Sequence, residues 1–98
     1  MKVLLVCAMG MSTSILMKKL EKYAAEQGIN FSIAAQSVNT YKTVCHEYDC
    51  ILMGPQISYQ KDNIAAESGM PVAVIPPTDY GTGNCANIMK LIESLVQG

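Results

Sequence analysis

The sequence predicts an α/β domain: a four-stranded parallel sheet in the order 2-1-3-4, with helices on both faces. Strand and helix signals alternate from end to end with no linker or low-complexity stretch, the pattern of repeated βαβ units. Two segments, Lys2–Val6 and Asp49–Met53, are nearly continuous apolar runs, as expected of central strands covered on both sides. Right-handed crossovers between parallel strands then give a flavodoxin-like arrangement.

Each element has a local cause. Val3-Leu4-Leu5-Val6 forms the first strand. A helix is expected from Thr13 to Gln27, with Leu16, Leu20, Tyr23 and Ala24 on one stripe, the charged residues mostly off it, and Gly28 as the stop. Asn30–Gln36 alternates through Phe31, Ile33 and Ala35 and belongs nearer an edge. A short helix is expected over Asn39–Glu47 with Asn39 as its N-cap. The third strand ends at Gly54-Pro55-Gln56, and Ser58–Glu67 reads as a helix closed by Gly69. Pro71–Ile75 is the fourth strand, stopped by Pro76-Pro77. The last helix, Asn84–Val96, repeats Ile88, Leu91, Ile92, Leu95 and Val96 at helical spacing.

Composition narrows the function. The 98 residues suit one domain, half of them apolar and 15% charged. A net charge of −1, with no basic cluster, gives no reason to expect nucleic acid. No apolar run approaches the ~20 residues of a membrane span. Met1-Lys2 and the following apolar stretch imitate a signal peptide, but the four aliphatic residues before Cys7 fall short of the ~7–15 of a secretory segment. Bulky Val6 also argues against Cys7 as a lipid-acylation site. Cys7, Cys45, Cys50 and Cys85 form no Cys-x-x-Cys pair, and nothing indicates disulfides. Cys45-His46 with Cys50 lacks a partner cluster, so neither a metal nor another cofactor is expected.

The loop after the first strand concentrates the chemistry. Cys7-Ala8-Met9-Gly10-Met11-Ser12-Thr13-Ser14 joins a strand end to a helix start, where loop and first-turn N–H groups lack intrahelical acceptors and can hold an anion. Gly10 allows the backbone to curl, and Ser12, Thr13 and Ser14 supply hydroxyls that donate to a ligand or only cap the helix. In such sheets ligands bind beyond the strand carboxyl ends where the winding reverses, here between the first and third strands. The Cys7 loop and Gly54-Pro55-Gln56-Ile57 should meet there. A nucleotide P-loop run is absent. A small phosphatase or arsenate reductase would carry Cys-x5-Arg, but Thr13 holds the arginine position and the chain has no arginine. Without that clamp, hydrolysis loses most of its transition-state stabilisation. A relay held by neutral donors remains, and it requires a Cys7 that incoming groups can reach.

Three segments then carry a family resemblance: the Cys7–Ser14 loop, Leu52-Met53-Gly54-Pro55-Gln56-Ile57-Ser58-Tyr59, and Tyr80-Gly81. They resemble the enzyme IIB components of the bacterial sugar phosphotransferase system, in the lactose/cellobiose/chitobiose branch. The resemblance implies a fold similar to small tyrosine phosphatases and a cytoplasmic phosphocarrier. Cys7 would take a phosphoryl group from a phosphohistidine of the IIA protein and pass it to a sugar, such as a β-linked disaccharide, held by the membrane-embedded IIC permease. Residues Met9, Gly10, Met11, Ser12, Thr13 and Ser14 would form the phosphate cradle. Gln56 and Ile57 would be a neighbouring wall or docking surface, Tyr59 and Tyr80 rim contacts, and Met9 and Met11 part of an adaptable apolar face. Asp79 reads as a solvated turn residue; the alternatives are a phosphatase or arsenate reductase-like enzyme, in which Asp79 would be a general acid, and a IIB-like regulatory module.

Overall fold

Strands β1 (Lys2–Cys7), β2 (Ser32–Ser37), β3 (Cys50–Met53) and β4 (Val72–Val74) pair in parallel in the order β2-β1-β3-β4, as the sequence predicts. The computed structural model describes residues 1–7 and 13–97, without the side chains of Thr13 and Gln97. Among the described residues, four α-helices accompany the sheet: α1 (Thr13–Glu26), α2 (Lys61–Ser68), α3 (Pro77–Thr82) and α4 (Cys85–Gln97). The central register runs from Val3 opposite Cys50 to Val6 opposite Met53.

The alternation of β1 divides the core in two. Val3 and Leu5 face Leu16, Leu20 and Ala24 of α1 and Ile88, Met89 and Ile92 of α4, together with Cys50 and Leu52. Leu4 and Val6 point the other way, onto Tyr41, Cys45, Ile57 and Ile64 beside Ile51 and Met53. Each large aliphatic side chain so buried contributes about 1.5–3 kcal/mol, which makes β1 and β3 the least dispensable elements. Strand β2, at the edge, is only half-buried along most of its length.

Three elements differ from expectation. Asn39–Glu47 is two 3-10 turns, Tyr41–Thr43 and Cys45–Glu47, not one helix. Ser37 Oγ accepts the Asn39 N–H at 3.2 Å, and Thr40 Oγ1 donates to Gln36 at 2.7 Å. These local bonds compete with helix formation in a segment rich in β-branched residues. The second difference follows β3, where 3-10 backbone over Pro55–Gln60, interrupted at Ile57, delays α2 to Lys61. The third is α3. Pro76-Pro77 ends the strand but also starts a helix, because proline suits the first helical position. Asn84 Oδ1 accepts the Asn87 N–H at 3.2 Å and caps α4.

The Glu67 carboxylate of α2 accepts from Lys42 Nζ at 2.5 Å and from the buried Tyr41 hydroxyl at 3.1 Å. The Lys42 hydrogen bond, then that of Tyr41, holds Glu67 below the usual carboxylate range. Burial, assisted by Glu67, pushes the Tyr41 phenol up to about 12, and burial pushes the Cys50 thiol up from 9.0 to about 11. Both groups resist ionisation in the folded state only, so above the unfolded thiol value the unfolded chain binds fewer protons and stability falls. We expect urea-unfolding midpoints to decline from about pH 9 upwards, with the Cys50 share developing up to about pH 11. Cys50→Ala should remove that share and Tyr41→Phe the portion above pH 10. A slope unchanged in both variants would contradict the assignment.

Helix α3 ends at Gly83 with φ +67°, the left-handed region that favours glycine. A methyl group there would meet the Lys19 ammonium at 2.9 Å, but that side chain is free to swing aside. The backbone cost therefore dominates. Gly83→Ala should lose about 1–2 kcal/mol in equilibrium unfolding. A Lys19→Ala background should recover little of it.

Candidate functional site

Strand β1 delivers Cys7 to the carboxyl edge of the sheet, in register with Ser37 of β2. Pleating puts it on the face of Val3 and Leu5, towards the helices that pack there. Cys7 is 4% exposed, packed at the core margin. A relay requires a thiol that incoming groups can reach, whereas this strand-end side chain, turned onto a covered face, is drawn inward. Met9, Gly10, Met11 and Ser12, expected to form the cradle, lie outside the described residues, as does the Thr13 side chain. Thr13 itself opens α1, and Ser14 is exposed in its first turn.

The third-strand loop reaches the same place. The Gly54 N–H donates to the Val6 carbonyl at 3.1 Å, carrying the β1–β3 pairing one residue past Met53. A methyl group on Gly54 would lie 3.9 Å from Cys7 Cβ and only 2.6 Å from Gln56 Oε1. Gly54 therefore leaves room for the Gln56 side chain to fold back towards Cys7. The geometry brings Cys7, Gly54 and Gln56 together. Ile57, expected on the docking face, is instead 2% exposed among Leu4, Tyr41 and Ile64. The kink at Ile57 turns this apolar side chain under the loop and into the core. Tyr59 is 77% exposed, and its hydroxyl accepts from Gln60 Nε2 at 3.3 Å.

Tyr80 lies on α3, half-buried against the core shared by α1 and α4. With Gly81, Gly83, Ile15, Leu16 and Lys19 it lines a cavity of about 250 Å³ between α3 and the first turns of α1. Sequence reasoning missed Ile15 and Lys19. The available signal was Ile15 itself, an apolar residue outside the helix stripe, which is 65% exposed. Asp79 sits in the first turn of α3, where its Oδ1 accepts from Asn87 Nδ2 of α4 at 3.3 Å. It is a partly exposed first-turn carboxylate that also joins two helices.

Among the described residues no cysteine forms a disulfide. Cys45 and Cys50 lie in the two cores on opposite sides of the sheet, and His46 is exposed. Burial pushes the Cys85 thiol up, opposed by nearby Lys19. Among the described residues, no three metal-ligating side chains cluster, and no helix is long and apolar enough to cross a membrane.

At the carboxyl edge, then, stand one sulfur atom, the start of a fourteen-residue helix, and a neutral carboxamide, in a chain without arginine. Such a site can receive an anionic group through uncharged donors. The family model for "PTS system, Lactose/Cellobiose specific IIB subunit" matches residues 2–91. The chain is 35% identical over 100 residues to the PTS system galactose-specific EIIB component of Lactococcus lactis subsp. cremoris, covering 94% of this chain and 93% of that protein. It is 30% identical over 66 residues to the lactose-specific EIICB component of Lactococcus lactis subsp. lactis, covering 67% of this chain and 12% of that protein. The solution structure of the cellobiose-specific phosphotransferase IIB component from Borrelia burgdorferi superposes with a TM-score of 0.79 at 34% identity, covering 97% of this chain and 91% of that one. On this evidence the chain belongs to the lactose/cellobiose-specific IIB family, the sugar-specific phosphocarriers of the phosphotransferase system.

Proposed function

We propose that this IIB component carries its phosphoryl group on Cys7, taking it from a phosphohistidine of a IIA protein and delivering it to a sugar held by a IIC permease. The observation that supports this most is the convergence of Cys7, Gly54 and Gln56 beyond the two central strands. In the first step a sulfur electron pair forms the S–P bond while the N–P bond of the donor breaks. That bond's electrons stay on the imidazole nitrogen, which takes up the thiol proton. In the second step a sugar hydroxyl oxygen attacks phosphorus, the S–P electrons return to sulfur, and the hydroxyl proton restores the thiol.

Each step needs a phosphoryl group held firmly enough to survive between partners and loosely enough to leave. Backbone N–H groups and the hydroxyls of Ser12, Thr13 and Ser14 meet that requirement, with Met9, Gly10 and Met11 completing the cradle. A guanidinium clamp would deepen the intermediate and slow the second transfer. The sugar is a β-linked disaccharide such as cellobiose, chitobiose or lactose, a reading supported by the names of the relatives. The IIC partnership is supported by the EIICB relative, in which a matching segment belongs to a much longer chain. The protein then works in the cytoplasm, at the inner membrane face when IIC is engaged. Exposed Tyr59 and Ile15 and half-buried Tyr80 are the rim available to partners.

Incubation with a phosphorylated IIA partner should add one phosphoryl group by intact-protein mass, absent in Cys7→Ala. Turnover of an aryl phosphate without sugar or IIC would instead establish a phosphatase. Because Cys7 is 4% exposed, transfer requires the thiol to become uncovered in the folded protein by local opening. Under native conditions iodoacetamide should therefore label Cys7 well before Cys45 and Cys50, by peptide mass mapping. Labelling of Cys7 only on global unfolding would exclude it as the carrier.

A further inference from the structure

We infer that Gln56 is a positioning residue for the phosphoryl group, its carboxamide supplying a neutral donor in a chain that has no arginine. This deepens the carrier reading and rests on it. Gln56 is exposed, yet its side chain turns back over Gly54, with Oε1 2.6 Å from the point a Gly54 methyl would occupy. That point is 3.9 Å from Cys7 Cβ, so the carboxamide oxygen and the Cys7 side chain flank one small volume beside Gly54 at the end of the β1–β3 pairing. A phosphoryl group on sulfur adds three acceptor oxygens to that volume. Rotation about the last side-chain bond presents the two Nε2 hydrogens to them. The loop fixes the reach, because Ile57 is anchored in the core and Pro55 restricts the backbone on the other side. Gly54 serves the same end. Its φ of −65° and ψ of 146° suit any residue, so what it provides is the missing side chain.

The role differs from docking in what it moves. A partner contact changes transfer from IIA and leaves the isolated phosphoprotein alone. A donor to the phosphoryl oxygens changes the phosphoprotein with no partner present. The experiment phosphorylates each variant, removes the donor, and follows the phosphorus resonance, its pH titration and the lifetime of the S–P bond. Gln56→Ala should shift the resonance, raise the phosphoryl titration point by weakening the dianion, and change the lifetime about tenfold, the scale of one charge-assisted hydrogen bond. Gly54→Ala, which displaces the carboxamide without removing it, should move all three in the same direction. Gln56→Glu should lower the phosphorylated fraction further through charge repulsion. Wild-type resonance, titration and lifetime in Gln56→Ala, with slowed transfer from IIA, would overturn the inference and leave Gln56 a docking contact. Failure of the wild-type protein to gain a phosphoryl group on Cys7 would instead overturn the carrier reading beneath it.

Discussion

The pairing of β1 with β3, and the burial of both strands on two faces, positions everything else in this molecule. Val3 through Val6 are fully enclosed, as are Cys50 through Met53, so neither strand can slip by a residue without turning core side chains into the wrong core. The last bond of this pairing, from Gly54 to Val6, lies one residue from Cys7. A loop on a rigid scaffold thus inherits its placement from packing far stronger than any contact the loop makes itself. The site is exact because the strands beneath it are.

Under the carrier reading, the chemistry of the site rests on uncharged donors in a chain without arginine. A phosphatase gains from stabilising a transition state relative to everything before it. A carrier must keep its intermediate close in energy to both neighbours, or one of the two transfers stalls. Under the carrier reading, the absence of arginine and the nearness of Gln56 are two aspects of that balance. Asp79 fits it too, since its carboxylate is engaged by Asn87 between two helices.

The sheet order, the central strands and the long helices were legible in the sequence because each rests on a periodicity that burial enforces. Where several local causes compete, legibility failed. Around Asn39 the hydroxyls of Ser37 and Thr40 organise the backbone more than any cap does. At Pro76-Pro77 one residue type signals both a strand stop and a helix start, and only the stop was read. Ile57 looked like a surface residue because its loop is polar, yet a kink turns it inward. Cys7 is identifiable from its place after an apolar run, but its burial depends on tertiary packing at the sheet end, which no local pattern encodes.

Helix α3 is bracketed by Pro77 at one end and by a left-handed glycine at the other, so its length is set at six residues. Adding one residue inside it would rotate all that follows by about 100° about the axis. That would swing Tyr80 out of the wall it shares with Ile15 and Lys19, or detach Asp79 from Asn87. Insertions and deletions during evolution should therefore be absorbed elsewhere, in segments such as the paired turns after β2, while this short stretch keeps a fixed span even as its side chains diverge.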